Sequence, residues 1–207
     1  MLDFFLDAYK NASTTQIVLE AIVFVFGILS VWLAKKESIW VYPTGLIATV
    51  LSTYIFWDVD YFGDAIVNAY FSILSIYGWY NWGKSGNNKV GLPISRTTSK
   101  EKLTGILLFF MTIFVVFAIY IFSGKNIETD NYIDIIASGI FFTGMWYMAN
   151  KKIENWTLWI IGDIIVTPLY AYRGLGMLSL QYLIFTVLAV MAYLEWKKIL
   201  NSKPQQL

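Results

Sequence analysis

Seven long apolar stretches, none of which contains Lys or Arg, constrain this chain more than any other feature. A helix that spans a bilayer needs about 20 mostly apolar residues. Charged residues make up only 14% of the chain, against about 25% in soluble domains. A soluble domain of this size could not bury so much apolar surface. We therefore predict an all-α integral membrane protein whose spans are 17–34, 39–56, 64–82, 103–122, 132–148, 155–172 and 178–196.

The positions of Lys and Arg predict how these spans are oriented. The connections after spans 1, 3 and 5, together with the C-terminal tail, carry 12 of the 15 basic residues, and the opposite side carries the other 3. Basic residues concentrate in cytoplasmic loops. We therefore expect the N-terminus outside and the C-terminus in the cytoplasm. Trp residues at several span ends fit the aromatic belt of a membrane protein.

The first three spans resemble the last three. Lys35-Lys36 stands five and four residues before Trp40, and the same spacing recurs before Trp156. The matched elements are Lys35-Lys36 with Lys151-Lys152, Tyr54 with Tyr170, Trp79-x-x-Trp82 with Tyr193-x-x-Trp196, and Pro43 with Pro168. We interpret 1–207 as one membrane domain with repeats at about 17–82 and 132–196, joined by helix 103–122. Because the first and fifth spans are four spans apart, the copies run parallel, a known transporter plan with its site between the repeats.

Ionisable residues inside a span cost several kcal/mol and are therefore candidate functional groups. Asp64 and Asp134 stand at outer span ends, where headgroup water can reach them, and Glu20 stands about one turn inside span 1. Asp163 follows Asn155 by eight residues, which places it about 12 Å along the helix and near the bilayer centre. Asp163 is the strongest candidate for a substrate or ion site.

A polar and aromatic stripe surrounds Asp163 on the sixth span. Its members recur at helical spacings of three, four, four and three residues and are Trp156, Trp159, Asp163, Thr167 and Tyr170. Two Trp rings and a carboxylate could form a cage for a flat organic cation. Gly162 leaves room beside the stripe, and Pro168 can free a backbone carbonyl.

Three further polar or aromatic residues are candidate substrate contacts. Gln181 and Tyr182 lie about one turn inside the seventh span, and Asn68 occupies a comparable depth in the third. Their side chains could bind an amide or ribose hydroxyls, or could hydrogen-bond neighbouring helices. Aligning Gly45 with Gly162 places Leu46 opposite Asp163, so we expect an asymmetric site that suits a ligand with one charged end.

These motifs resemble the PnuC family of bacterial vitamin transporters. The resemblance rests on Trp156-x-x-Trp159-x-x-x-Asp163, on Tyr77-Gly-Trp79-x-x-Trp82 and on the Tyr193-x-x-Trp196 ending, and it covers roughly residues 17–198. It implies a 3+1+3 fold similar to a full-length SWEET, a homotrimer in the bacterial inner membrane, and uptake of nicotinamide riboside by facilitated diffusion with trapping by a cytoplasmic kinase. It also implies that Trp156, Trp159 and Asp163 bind substrate, with Gln181 and Tyr182 as contacts.

The resemblance leaves the substrate open, because the family also includes thiamine and riboflavin carriers. Nicotinamide riboside and thiamine both carry a positive charge on an aromatic ring, which matches Trp and Asp. Riboflavin is larger and uncharged, so Asp163 argues against it. An ion-coupled vitamin carrier is a further alternative, in which the one acid at mid-span carries a proton.

Other classes of protein fit the sequence less well. Without Cys or His, the chain lacks thiolate and imidazole ligands and nucleophiles, and we expect no metal and no cofactor. An enzyme would need a nucleophile and base or two close carboxylates, and we predict none. The net charge of +1 does not point to nucleic acid. No ATP-binding motif is present, and a structural or signalling role remains a third alternative.

Overall fold

The computed structural model describes residues 13–58, 62–84, 92–122 and 127–202, and these ranges contain seven α-helices. In chain order they are α1 (Thr14–Lys35), α2 (Val41–Asp58), α3 (Phe62–Gly83), α4 (Ser99–Phe122), α5 (Thr129–Ala149), α6 (Glu154–Tyr172) and α7 (Gly176–Ser202). Ser13 caps α1 by accepting a hydrogen bond from the backbone N–H of Gln16 at 3.1 Å. The predicted number of helices is confirmed within this part of the chain.

Four of the helices, α1, α4, α5 and α7, are long and apolar enough to cross a membrane by length and composition. The apolar part of α2, Val41–Ile55, is shorter. The helices α3 and α6 are 22 and 19 residues long, but they carry the polar residues that the sequence singled out, including Asn68 and Asp163. Asn68 and Asp163 thus occur in helices outside these four, whereas Gln181 and Tyr182 lie on α7.

The helices pack in a closed order around the bundle. Within each set of three, neighbours in sequence pack on each other: α1 on α2 and α2 on α3, then α5 on α6 and α6 on α7. The two sets meet where α1 packs on α7 and where α3 packs on α5. The remaining helix, α4, packs mainly on α5. The six helices of the two sets therefore enclose the interior, and α4 lies outside them.

The turn between α1 and α2 has the same backbone structure as the turn between α5 and α6. Glu37 and Lys151, 114 residues apart, both have positive φ, at 54° and 49°. The N–H of Ser38 donates to the carbonyl of Leu33, and the N–H of Lys152 donates to that of Tyr147. Both partners of the second bond lie 114 residues after those of the first. Residues 114 apart are therefore called counterparts below.

Aromatic pairs beside these turns keep the same spacing. Tyr42 and Trp82 meet edge to face, with ring centroids 5.1 Å apart and an interplanar angle of 87°. Their counterparts Trp156 and Trp196 meet in the same way, at 5.4 Å and 87°. The predicted match of Trp40 with Trp156 is wrong by two residues, because Trp40 is 64% exposed whereas Trp156 is buried.

The corrected register changes which residues correspond. The counterpart of Asp163 is Thr49, and not Leu46, which stands three residues earlier. Pro43 lies in the first turn of α2 and Pro168 in the last turn of α6, so the two prolines do not correspond. In the first turn of a helix the missing N–H costs no hydrogen bond, which explains why Pro43 is tolerated there.

The Lys-rich end of the bundle, defined by Lys35, Lys36, Lys151 and Lys152, joins the two sets of helices. Nζ of Lys151 lies 3.1 Å from Oε2 of Glu37 and 4.5 Å from the centroid of the Trp82 ring. The indole N–H of Trp82 donates to the carbonyl of Met148 at 3.1 Å. Contacts between counterpart turns therefore hold the two sets together at this end.

Candidate functional site

Asp163 lies at the centre of α6, nine residues from each end of the helix. Its side chain is buried, with 1% of the residue exposed. Among the described residues, no hydrogen-bond partner faces its Oδ1 atom. A buried carboxylate oxygen without a partner is costly and is rare in folded proteins. The position predicted from the sequence is therefore one where a cationic or hydrogen-bonding ligand would relieve a cost.

Trp159, one turn before Asp163, stacks on a ring from α5. Its ring centroid lies 5.4 Å from that of Phe141, with an interplanar angle of 29°. The ring of Phe71 on α3 also approaches Trp159, at 6.0 Å. The indole Nε1 of Trp159 is buried without a partner in the described part of the chain. Three helices thus contribute aromatic rings beside the acid.

Phe141 is the centre of this aromatic group. Its ring also lies 5.9 Å from that of Tyr182 on α7, and Tyr182 lies 5.2 Å from Tyr170 on α6. The apolar residues packed here, called the central aromatic cluster, are Phe71, Ala137, Phe141, Trp159, Val166, Tyr170 and Tyr182. The cluster brings together two of the seven candidate contacts, Trp159 and Tyr182.

Gly162 fits this cluster in a way that the sequence did not predict. A Cβ atom at position 162 would overlap Cε1 of Phe141 and would lie 2.9 Å from its Cδ1 and Cζ atoms. Real Cβ atoms do not approach other atoms so closely. The room predicted beside the stripe exists, but the ring of Phe141 occupies it.

Trp156 belongs to the main core, whereas Trp159 packs against both that core and the central aromatic cluster. It is 1% exposed and packs edge to face on Trp196. Its buried neighbours form the main core at the Lys-rich end, which includes Ala34, Tyr42, Trp82, Met145, Met148, Ile153, Ala189, Ala192 and Trp196. Trp156 shares a helical face with Asp163 but stands two turns away, so its packing indicates a role in the core.

Thr167, Gln181 and Asn68 make separate local contacts. The Thr167 hydroxyl donates to the backbone carbonyl of Asp163 at 2.7 Å. Gln181 is buried, and its Nε2 atom would lie 2.9 Å from a Cβ at Gly27. The carbonyl of Asn68 accepts a hydrogen bond from Ser72 at 3.0 Å. Gln181 is thus placed against α1, and Asn68 bonds within α3. Thr167 bonds within α6, to the backbone of Asp163.

The acids nearer the outer span ends are paired. Arg173, between α6 and α7, contacts Asp130 and Asp134, each at 2.6 Å. Burial alone would lower the pKa of Arg173, but its hydrogen bonds to both acids more than offset this, and the pKa is raised. Asp134 therefore has a protein partner, in contrast to the predicted solvated end. Glu20 accepts a hydrogen bond from Gln16 at 3.0 Å, and the side chain of Asp64 lies outside the described residues.

The sequence analysis missed Phe141 and Phe71. Both are ordinary apolar residues in apolar helices, without a neighbouring charge or a polar stripe to mark them. The one signal that could have found Phe141 is Gly162, because a glycine inside a membrane helix often marks the close approach of a neighbouring side chain. No feature of the sequence identified which helix would supply that side chain.

A helical bundle with a buried mid-span acid and aromatic rings has the features of a membrane transporter. A family model described as "Nicotinamide mononucleotide transporter" matches residues 17–198, and the chain belongs to this family. It is a multi-pass transport protein of the bacterial inner membrane. The sequence-based recognition of the PnuC family is confirmed.

Curated relatives agree with this assignment, and a solved structure has the same fold. The chain is 26% identical to "Nicotinamide riboside transporter PnuC" of Escherichia coli K12, covering 86% of this chain and 84% of the relative. It is 19% identical to "Riboflavin/roseoflavin transporter RibM" of Streptomyces davaonensis, covering 83% of this chain and 81% of that relative. A structure described as "Crystal structure of the Vitamin B3 transporter PnuC" superposes with a TM-score of 0.72 at 21% identity, covering 97% of this chain and 89% of that one.

Proposed function

We propose that this chain takes up nicotinamide riboside. The observation that carries the proposal is the buried Asp163 carboxylate, with Oδ1 unpaired among the described residues, beside the stacked rings of Trp159 and Phe141. A pyridinium ring would gain a counter-ion from the acid and a cation–π contact from the indole. The name of the Escherichia coli relative supports the same substrate.

The test is ligand-induced quenching of Trp fluorescence on the purified protein, with nicotinamide riboside, thiamine and riboflavin in parallel. We expect saturable quenching by nicotinamide riboside and a weaker response to riboflavin, which has no charge to match Asp163. Tighter binding of thiamine would replace the proposed substrate with the other cationic vitamin. The relative named as a riboflavin carrier makes riboflavin a necessary third arm.

The proposed architecture is a SWEET-like 3+1+3 arrangement of parallel repeats, α1–α3 and α5–α7, joined by α4. The recurrence of turns and ring pairs at a spacing of 114 residues supports it. The excess of basic residues at one end supports a cytoplasmic C-terminus. A reporter fused after Leu207 should be active only in the cytoplasm, and one inserted in 123–131 only outside. The reverse result would contradict this orientation.

We further propose facilitated diffusion, without ion coupling, between states open to either side of a central site. Asp163 is one isolated acid at mid-span, and a proton relay would need a chain of acids. A cytoplasmic kinase that phosphorylates the vitamin would then drive net uptake. In liposomes without kinase and at zero potential, inside and outside concentrations should equalise. Accumulation driven by an imposed proton or sodium gradient would show that the carrier is coupled.

A homotrimer remains a proposal that rests on the family resemblance. The outer helix α4 presents large apolar side chains away from the bundle, including Phe110 and Phe114, and these could face lipid or another copy. Light scattering of the purified protein, corrected for bound detergent, would give the number of chains. A mass of one chain would contradict the trimer.

A further inference from the structure

We infer that Phe141, seated against Gly162, is the movable wall of a ring slot opposite Trp159 and limits the ligand to a single aromatic ring. This inference rests on the proposed function, because it specifies the substrate class of the same site. It depends on two contacts of Phe141: its stacking on Trp159 at 5.4 Å, and its close approach to the backbone of α6 at Gly162.

The ring separation shows that the slot is closed in this structure. Carbon atoms in contact lie about 3.5–4.0 Å apart, so a ligand ring between two walls needs about 7–8 Å. The centroids of Phe141 and Trp159 are 5.4 Å apart. A ligand ring can therefore enter only if one wall moves. We take Phe141 as the wall that moves, because a phenyl ring forms no hydrogen bonds and is held only by stacking contacts.

Gly162 fixes how far Phe141 can retreat. A methyl group at position 162 would overlap Cε1 of Phe141 and lie 2.9 Å from Cδ1 and Cζ; these three are the nearest atoms to it. Alanine there would displace the ring from this position, and we expect it to keep the slot closed. Gly144 lies on α5, and a methyl group there would contact Trp159 at 3.6 Å and Leu158 at 3.4 Å, which are ordinary distances.

Comparison with the counterpart positions indicates that the fold does not require this ring pair. The counterparts of Phe141 and Trp159 are Gly27 and Gly45. The helices equivalent to α5 and α6 in the first set, α1 and α2, pack on each other without either ring. The space at Gly27 is instead approached by Gln181 and Phe185 from α7. Aromatic rings at 141 and 159 thus serve a purpose that helix packing alone does not explain.

The experiment measures binding of two probes with equal charge and different ring size, 1-methylnicotinamide and 1-methylquinolinium, beside nicotinamide riboside. We expect the parent to prefer the single-ring cation at least tenfold. Phe141→Ala should lower the affinity for nicotinamide riboside about three- to tenfold, because one ring face is lost. It should also shift the preference between the two probes at least tenfold toward the two-ring cation. An unchanged preference in folded Phe141→Ala protein would overturn the inference.

The link between the two residues is tested by a double-mutant cycle. Gly162→Ala should lower the affinity for nicotinamide riboside at least tenfold, whereas the affinity of the control Gly144→Ala should stay within twofold of the parent's. Gly162→Ala combined with Phe141→Ala should bind as Phe141→Ala does, within twofold, because the added methyl no longer meets a ring. Additive losses would show that Gly162 does not act through Phe141 and would overturn the proposal.

Two controls separate the possible failures. Monodisperse elution in detergent shows which variants fold, and Phe141→Leu, with a smaller shift in preference, replaces Phe141→Ala if the latter does not. If the parent fails to bind nicotinamide riboside, the proposed substrate is wrong, while the ratio of the two methylated probes still tests the slot. If the parent binds nicotinamide riboside and the ratio does not respond to residue 141, the slot alone is wrong.

Discussion

The two sets of three helices share their backbone and differ in their centre. At the Lys-rich end, Tyr42 with Trp82 and Trp156 with Trp196 form the same edge-to-face pair. Half a helix further along, the second set has Phe141, Trp159 and Asp163, and their counterparts are Gly27, Gly45 and Thr49. The fold therefore determines the residues near the turns, whereas the mid-helix positions differ in chemistry between the two sets.

This difference indicates how one scaffold can hold an asymmetric ligand. Thr49 shares a hydrogen bond of 2.8 Å with Ser72, which links α2 to α3. At the equivalent place in the second set, Oδ1 of Asp163 has no hydrogen-bond partner among the described residues. The polar group bonds a neighbouring helix in one set, and in the other we propose that it is left for a ligand.

Replacing the acid should have the largest effect on function. Asp163→Leu should abolish binding of nicotinamide riboside, because an unpaired buried charge costs about 3–5 kcal/mol, which is more than about 100-fold in affinity. The matched control is Thr49→Val, which should change affinity less than about threefold. Binding by Asp163→Leu at the parent affinity, or equal losses in both variants, would show that the comparison places the site in the wrong half.

Truncating the shared ring pairs should affect stability in both halves. Trp156→Ala and Tyr42→Ala each remove a buried aromatic side chain, which costs about 3–5 kcal/mol. We expect similar decreases in the midpoint of thermal unfolding, followed by Trp fluorescence or light scattering in detergent. If Trp156→Ala instead abolishes binding at unchanged stability, Trp156 contacts the ligand directly, as the sequence motif suggested.

Truncating Trp159 should have a smaller effect, confined to binding. Trp159→Ala should weaken nicotinamide riboside by about 0.5–2 kcal/mol through the lost cation–π face, and Trp159→Phe should recover part of this. Gly45→Ala, at the counterpart position, should leave affinity within about twofold, although its methyl must displace Ser30, whose Oγ would lie 2.9 Å away. An effect of Gly45→Ala as large as that of Trp159→Ala would contradict a one-sided ring site.

The sequence was sufficient for the helices and for the mid-helix position of the buried Asp163, because long apolar runs and a mid-span charge are local signals. It was insufficient for the register of the repeat. Lys-Lys pairs and Trp40 suggested a spacing of 116 residues, but exposed interfacial residues such as Trp40 can shift without changing the core. The buried partners Tyr42 and Trp156 differ in residue type, so their equivalence becomes visible only from the ring geometry.

Contacts between helices were likewise beyond reach of the sequence. The stripe of α6 correctly indicated an inward face, but Trp156 proved to be part of the main core, whereas Trp159 packs against both that core and the central aromatic cluster. Phe141 completes that cluster from α5, 18 residues before Trp159 in the chain. A contact of this kind depends on which helices are neighbours, and apolar residues give no pairing signal.

The smallest predicted effect is that of exchanging Glu37 and Lys151, two counterparts of opposite charge that contact each other. Glu37 and Lys151 form an ion pair at 3.1 Å, in which the Glu37 side chain is 29% exposed and that of Lys151 only 9%. Glu37→Lys alone should therefore cost more than the about 1 kcal/mol of an exposed pair, because it leaves a buried ammonium beside a like charge. In the double variant Glu37→Lys with Lys151→Glu, the pair is restored in reverse. Lys151 also lies over the ring of Trp82, whose counterpart is Trp196, so the relocated ammonium would have an equivalent ring beside it. The free energy of unfolding of the double variant should therefore lie within about 0.5 kcal/mol of that of the parent. A double variant less stable than either single variant would show that the two turns, despite equal backbones, are not interchangeable.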